Sequence, residues 1–178
     1  ILGVISGFFS GMLIVSFRKL IELPQHFLLP DNLQDNFEAM PMWLYIVLPL
    51  AGAFLLGLAF EGLPPHLRKV GVLHVMDRLS NHQGIMKPYN ALVQYLAGAW
   101  TVLFGLSVGR EGPAVHLGAA ISSAIGQWIK VPHQNMRLLV GCGTAAAISA
   151  SFNTPIAGVI FAMEVVITEY TVTTFTPI

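Results

Sequence analysis

The octapeptide GREGPAVH, Gly109 to His116, sets a guanidinium beside a carboxylate where almost nothing else is charged. From Pro88 to Ile129, Arg110 and Glu111 are the only Lys, Arg, Asp or Glu residues. Removing a charge from water is costly unless something pairs with it, and an ionisable residue inside a membrane run is a functional candidate by default. Proline suits the first turn of a helix, so a helix is expected to begin near Pro113 and run to about Ile129. Its unpaired N–H groups and positive dipole end attract anions. An ionised Glu111 is itself such an anion, tethered to the chain. A free anion competes for the same donors, and protonating Glu111 releases them, so one side chain is expected to act as gate and proton acceptor. The plainer alternatives are an ion pair with Arg110 or a helix-capping acid.

The elements that position this pair must live in lipid. The chain has 178 residues, 54% hydrophobic and only 10% charged, with a mean hydropathy of +0.69. Soluble domains carry about a quarter charged residues. Uncharged runs long enough to approach the roughly 20 helical residues that cross a bilayer are Ile1–Phe17, Met42–Phe60, Pro88–Gly109, Gly112–Ile129 and Leu138–Met163. Backbone groups in lipid must be bonded internally, which makes helices the expected spanning form. The formal net charge of zero gives no sign of a nucleic-acid partner. Cys142, the single cysteine, is expected to be a small packing residue. Beginning at Ile1, the chain reads as a segment of a longer protein, and its first run lacks the basic flank and cleavage-like site of a signal peptide.

Two polar connections separate these runs. Arg18–Pro41 holds two basic residues against four acidic ones, and Glu61–Lys87 four basic against two acidic. The Lys/Arg excess assigns the second connection to the cytoplasmic side and the first to the outside. Gly3, Gly7 and Gly11 recur every four residues, which predicts a packing groove on one helix face, and Gly105 and Gly109 repeat the spacing. Asn153, followed by Thr154 and Pro155, reads as a second helix start inside apolar sequence, with Asn153 as the N-cap. Two such breaks are the mark of broken helices around a site near the membrane midplane.

Other chemistry finds less support. His66, His74 and His82 are eight residues apart, which does not gather ligands on one helix turn, so they read as connection histidines. No HExxH or CxxC pattern is present, and no metal is expected. His116 reads as a hydrogen-bonded core histidine in preference to a pH sensor. Ser149 and Ser151 lack a nearby His–Asp partner. Glu164 and Glu169 are five residues apart, which on a helix at roughly 100 degrees per residue points them about 140 degrees apart. The chain is therefore not expected to be an enzyme.

GREGPAVH resembles the GREGP or GKEGPxVH motif of the CLC family of chloride channels and chloride/proton exchangers. SFNTPIAGVIFAMEVV, Ser151 to Val166, is similar to that family's FNAPLAGxLFxxEE segment, in the same order and at the expected distance. The resemblance covers essentially the whole chain as the first of two inverted halves. It implies an all-α, multi-pass transmembrane domain over residues 1–178, with tilted and broken helices and no separate soluble domain. It also implies a homodimer with one anion pathway per subunit, chloride or a similar small anion as cargo, lipid as surroundings and no bound cofactor. Glu111 matches the gating glutamate. Gly109, Arg110, Gly112, Pro113 and, in the KVGVL segment, Gly71 match the anion site. Ile156, Ile160 and Met163, spaced i, i+4, i+7, form the stripe that the resemblance puts at the dimer interface.

The chain departs from the family pattern twice. Val70 stands where GSGIP carries a serine hydroxyl for the anion. Val165 stands where exchangers carry the second glutamate of the EE pair, which takes protons from the inside, while Glu164 matches the first. Valine carries no proton, so a channel or weakly coupled transporter is expected, with a proton-coupled chloride or fluoride antiporter as the alternative. A structural membrane module comes third. A bacterial inner membrane is the expected location.

Overall fold

A computed structural model of the protein describes residues 1–28 and 41–167. Among the described residues the chain is helical, without strands. It comprises α1 (Leu2–Leu28), α2 (Met42–Glu61), α3 (Gly71–Asn81), α4 (Pro88–Leu103), α5 (Glu111–Ile129), α6 (His133–Phe152) and α7 (Pro155–Phe161). A π-helical segment, Ala162–Ile167, follows α7 directly.

Helix boundaries correct the sequence reading in several places. α1 does not stop at Phe17 but continues through the charged residues to Leu28. Arg18 and Glu22, one turn apart and 3.5 Å from each other, form an ion pair on its surface, so these charges decorate the helix and do not end it. The second polar connection contains a helix, α3, whose Val75 and Leu79 are buried one turn apart. α4 ends at Leu103, which leaves Gly105 and Gly109 in a loop, with Gly105 at φ +66°. Their four-residue spacing therefore makes no helix face. α5 begins at Glu111, two residues before the expected start. Asn153 closes α6 in the left-handed region, φ 55°, and Thr154 takes the N-cap position of α7.

The core is the crossing of α5 and α6, against which α1 lies. A Cβ on Gly118 would strike the Gly143 carbonyl and come within 2.6 Å of the Ala147 Cβ. A Cβ on Gly143 would overlap the Ser122 hydroxyl and sit 2.6 Å from the Gly118 carbonyl. This close approach is glycine's contribution to membrane helix packing. Of the groove expected along Gly3, Gly7 and Gly11, the last two positions make no close approach that requires glycine. A Cβ at Gly7 would make only ordinary contact with Ala146, 3.4 Å away, and one at Gly11 would meet nothing within 4 Å. Serines do the seating instead. Ser6 Oγ lies 2.6 Å from Ser122 Oγ, and Ser10 donates to the Gly118 carbonyl at 3.4 Å. Cys142 is buried in α6, consistent with a packing role.

Candidate functional site

Glu111 is exposed and occupies the first position of α5. No side chain caps this helix start. The first α5 backbone bond runs from the Ala114 N–H to the Arg110 carbonyl at 3.1 Å. Pro113 has no N–H to offer. Among the described residues nothing accepts from the amides of Glu111 or Gly112. Space over Gly112 is open, with no atom within 4 Å of where a Cβ would sit. Gly109 and Arg110 border a cavity of about 450 Å³ whose far wall includes Leu44, Tyr45 and Leu48 of α2. Arg110 and Glu111 thus sit at an open helix start where the amides of Glu111 and Gly112 are unused donors.

The α3 start differs. Gly71 enters the helix at φ +81°, a conformation that a side chain would strain. Its N–H, expected to face an anion, instead donates to Gln94 Oε1 of α4 at 2.6 Å. Val70 caps the helix in extended conformation and contributes no side-chain bond.

The two helix starts lie at the same end of the bundle. His74, in the first turn of α3, meets His116, in the second turn of α5, with Nδ1 and Nε2 2.9 Å apart and the rings stacked. At the other end, Ser123 donates to the Gly84 carbonyl at 2.7 Å and Gln127 donates to the Met86 carbonyl at 3.0 Å. α3 and α5 therefore run parallel, with their positive ends together. α4 supports both through one face. Asn90 donates to the carbonyls of His66 and Lys69, Gln94 holds Gly71, and Gly98 lets Pro113 approach so closely that a Cβ would lie 2.9 Å from its ring. These residues recur every four positions, as one helix face requires.

The hydrogen bonds fix the histidine tautomers. The Arg78 Nε–H donates to His74 Nε2 at 3.2 Å, which makes that nitrogen an acceptor. In its neutral form His74 then carries its proton on Nδ1 and donates to His116 Nε2. The His116 proton is left on Nδ1, which is buried and has no partner. His74 is thus no bland connection residue. It is 5% exposed and joins two helices, while His116, 0% exposed, is the hydrogen-bonded core histidine expected.

Beyond α7 the π-helical segment changes which residues face inward. Ile156 and Ile160 are 78% and 51% exposed, but Met163 is 4% exposed and packs into its own chain. The three do not share one face as a regular helix predicts. Glu164 is exposed, and Val165 is partly buried against the core. Glu169 lies outside the described residues. Ser149 donates to the Ala145 carbonyl at 2.7 Å, an ordinary helical back-bond.

Asn90 and Gln94 carry no motif, and the eight-residue spacing of His74 from His66 and His82 conceals its role. One signal was present for α3, the spacing of Val75 and Leu79 inside GVLHVMDRLSN. For α4 the signal was two amides four residues apart in an apolar run, Asn90 and Gln94.

Apolar helices interrupted twice, with two parallel positive ends set side by side, define an integral membrane protein of the broken-helix kind. The family model described as voltage gated chloride channel matches residues 52–178, and the chain belongs to that family. A ClcB-like protein of Ralstonia nicotianae, named for a chloride channel, is 32% identical over 97% of this chain and 42% of its own length. The H(+)/Cl(-) exchange transporter ClcA of Salmonella arizonae is 25% identical over 92% of this chain and 35% of its own. A solved CLC-type fluoride/proton antiporter superposes on 99% of the chain with a TM-score of 0.76 and 26% identity, over 42% of that structure. The chain spans less than half the length of these relatives.

Proposed function

We propose that the protein moves chloride or a similar small monovalent anion across the membrane along a path gated by Glu111. The observation that carries this reading is the pairing of two parallel helix starts, α3 and α5, with an exposed carboxylate at the first position of one. The unused amides of Glu111 and Gly112 are the donors for which carboxylate and anion compete. Gly109, Arg110 and Pro113 shape the same turn. Relatives named as chloride channel and as exchange transporter support the cargo class.

The mode is channel-like or weakly proton-coupled, because Val165 offers no group to take a proton from the inside. Coupled antiport is the second reading, favoured by the likeness to the fluoride/proton antiporter. The working unit is a homodimer in a bacterial inner membrane, with the exposed Ile156 and Ile160 as the contact. The experiment is anion flux from liposomes carrying a pH probe. Wild type is expected to release chloride quickly without driving protons uphill, and Glu111→Gln to lose most of the pH response of that flux. Uphill proton movement by wild type overturns the channel-like mode. A full pH response in Glu111→Gln overturns the gate.

A further inference from the structure

We infer that Gln94 is the anion ligand and specificity-determining residue at the α3 end of the path, a role that rests on the transport reading above. The chain lacks a hydroxyl at Val70, and the Gly71 N–H is occupied by Gln94 Oε1 at 2.6 Å. Neither group is available to an anion. The side chain that occupies Gly71 has its own donors to spare. Gln94 is 6% exposed, and its Oε1 must face Gly71 because an N–H needs an acceptor there. Nε2 is thereby turned away from Gly71, and among the described residues no protein group accepts from it. The next amides of α3, those of Val72 and Leu73, have no partner either. A largely buried carboxamide whose oxygen is taken by Gly71 and whose Nε2 still reaches solvent, at a positive helix end, holds out a fixed donor to one small acceptor. An anion accepting from Nε2–H is that acceptor, and the Gly71–Oε1 bond holds the donor in place.

The backbone here is held independently of the ligand. Asn90 ties down the carbonyls of His66 and Lys69 one turn earlier, so altering Gln94 leaves the approach to α3 anchored. A hydrogen bond to a charged partner is among the stronger ones. Gln94→Leu is accordingly expected to bind chloride roughly tenfold to a hundredfold more weakly and to shift the chloride-to-nitrate flux ratio. Gln94→Glu separates ligand from structure. Its carboxylate accepts from Gly71 at least as well, so the unfolding temperature in detergent is expected to hold or rise, yet chloride binding at neutral pH is lost and returns as the pH falls. A purely structural cap predicts stability and chloride binding both as in wild type. Bromide-soaked crystals of the wild-type protein provide an arm free of mutation. An anomalous peak within hydrogen-bonding distance of Gln94 Nε2 is expected, and bromide bound elsewhere with none there overturns the assignment. If wild type moves no anion, the transport reading itself fails. If wild type moves chloride under Glu111 control while Gln94→Glu binds it normally, only this inference fails.

Discussion

α2 and α5 are nearly equal in length, 20 and 19 residues, and are built to opposite rules. In α2 only Gly52 is buried, where Trp100 donates to its carbonyl at 3.1 Å and Phe104 leaves no room for a Cβ. Most of the rest is apolar and exposed, with Trp43, Ile46, Leu50, Phe54 and Leu58 turned outward, a surface for lipid or for further protein. In α5, eleven residues are buried, most of them small: three alanines, two serines and two glycines among them. Large apolar residues make a helix soluble in lipid, while small and polar ones let helices meet. The helix that most resembles a membrane span therefore lends the site only the cavity wall of Leu44, Tyr45 and Leu48, and the helix that carries Glu111 is the less apolar of the two.

The sharpest way to break this contrast is one methyl group placed in each region. Gly143→Ala drives a Cβ into Ser122 and the Gly118 carbonyl. Overpacking costs about 1–3 kcal/mol and sometimes more, and with backbone on one side of the clash the upper end is expected. Gly57→Ala on α2 meets nothing within 4 Å and is expected to be neutral or to stabilise by up to about 1 kcal/mol through helix propensity. Thermal unfolding in detergent reads both. Equal effects at the two positions would erase the distinction between seam and surface.

The smallest effect on folding is expected on the exposed face of α7. Ile156→Trp is expected to leave the stability of the monomer within about 0.5 kcal/mol of wild type, as surface changes do, while lowering the dimer fraction. Sedimentation in detergent at several protein concentrations measures that fraction. A substitution that destabilised the monomer would move Ile156 into the core.

Legibility followed the same division. Composition is enough to show the helical class and the approximate extent of α2 and α5, because long uncharged runs have few alternatives in lipid; α6 begins at His133, ahead of the uncharged run, because it carries Arg137 in its second turn. The octapeptide pointed to Glu111 because a charge stands out in such a run. α3 and the second half of α1 stayed hidden for one reason: their surfaces carry charges, and charges were read as connection. The Arg18–Glu22 pair shows how a helix continues through them. Contacts such as His74 with His116, or Gln94 with Gly71, join residues 42 and 23 positions apart. No local pattern records that pairing.

The π-helical segment after α7 works as a phase shift. An α-helix advances roughly 100 degrees per residue, and a π turn inserts a residue without starting a new element. Everything after Phe161 is out of step with Ile156 and Ile160, which is why Met163 turns inward while Glu164 stays outside. The character of positions 164 and 165 is therefore a property of the offset as much as of the residues. Deleting one residue between Ala162 and Glu164 would reset the rotation and exchange which side chain faces the core. The same letters would then spell a different inner surface.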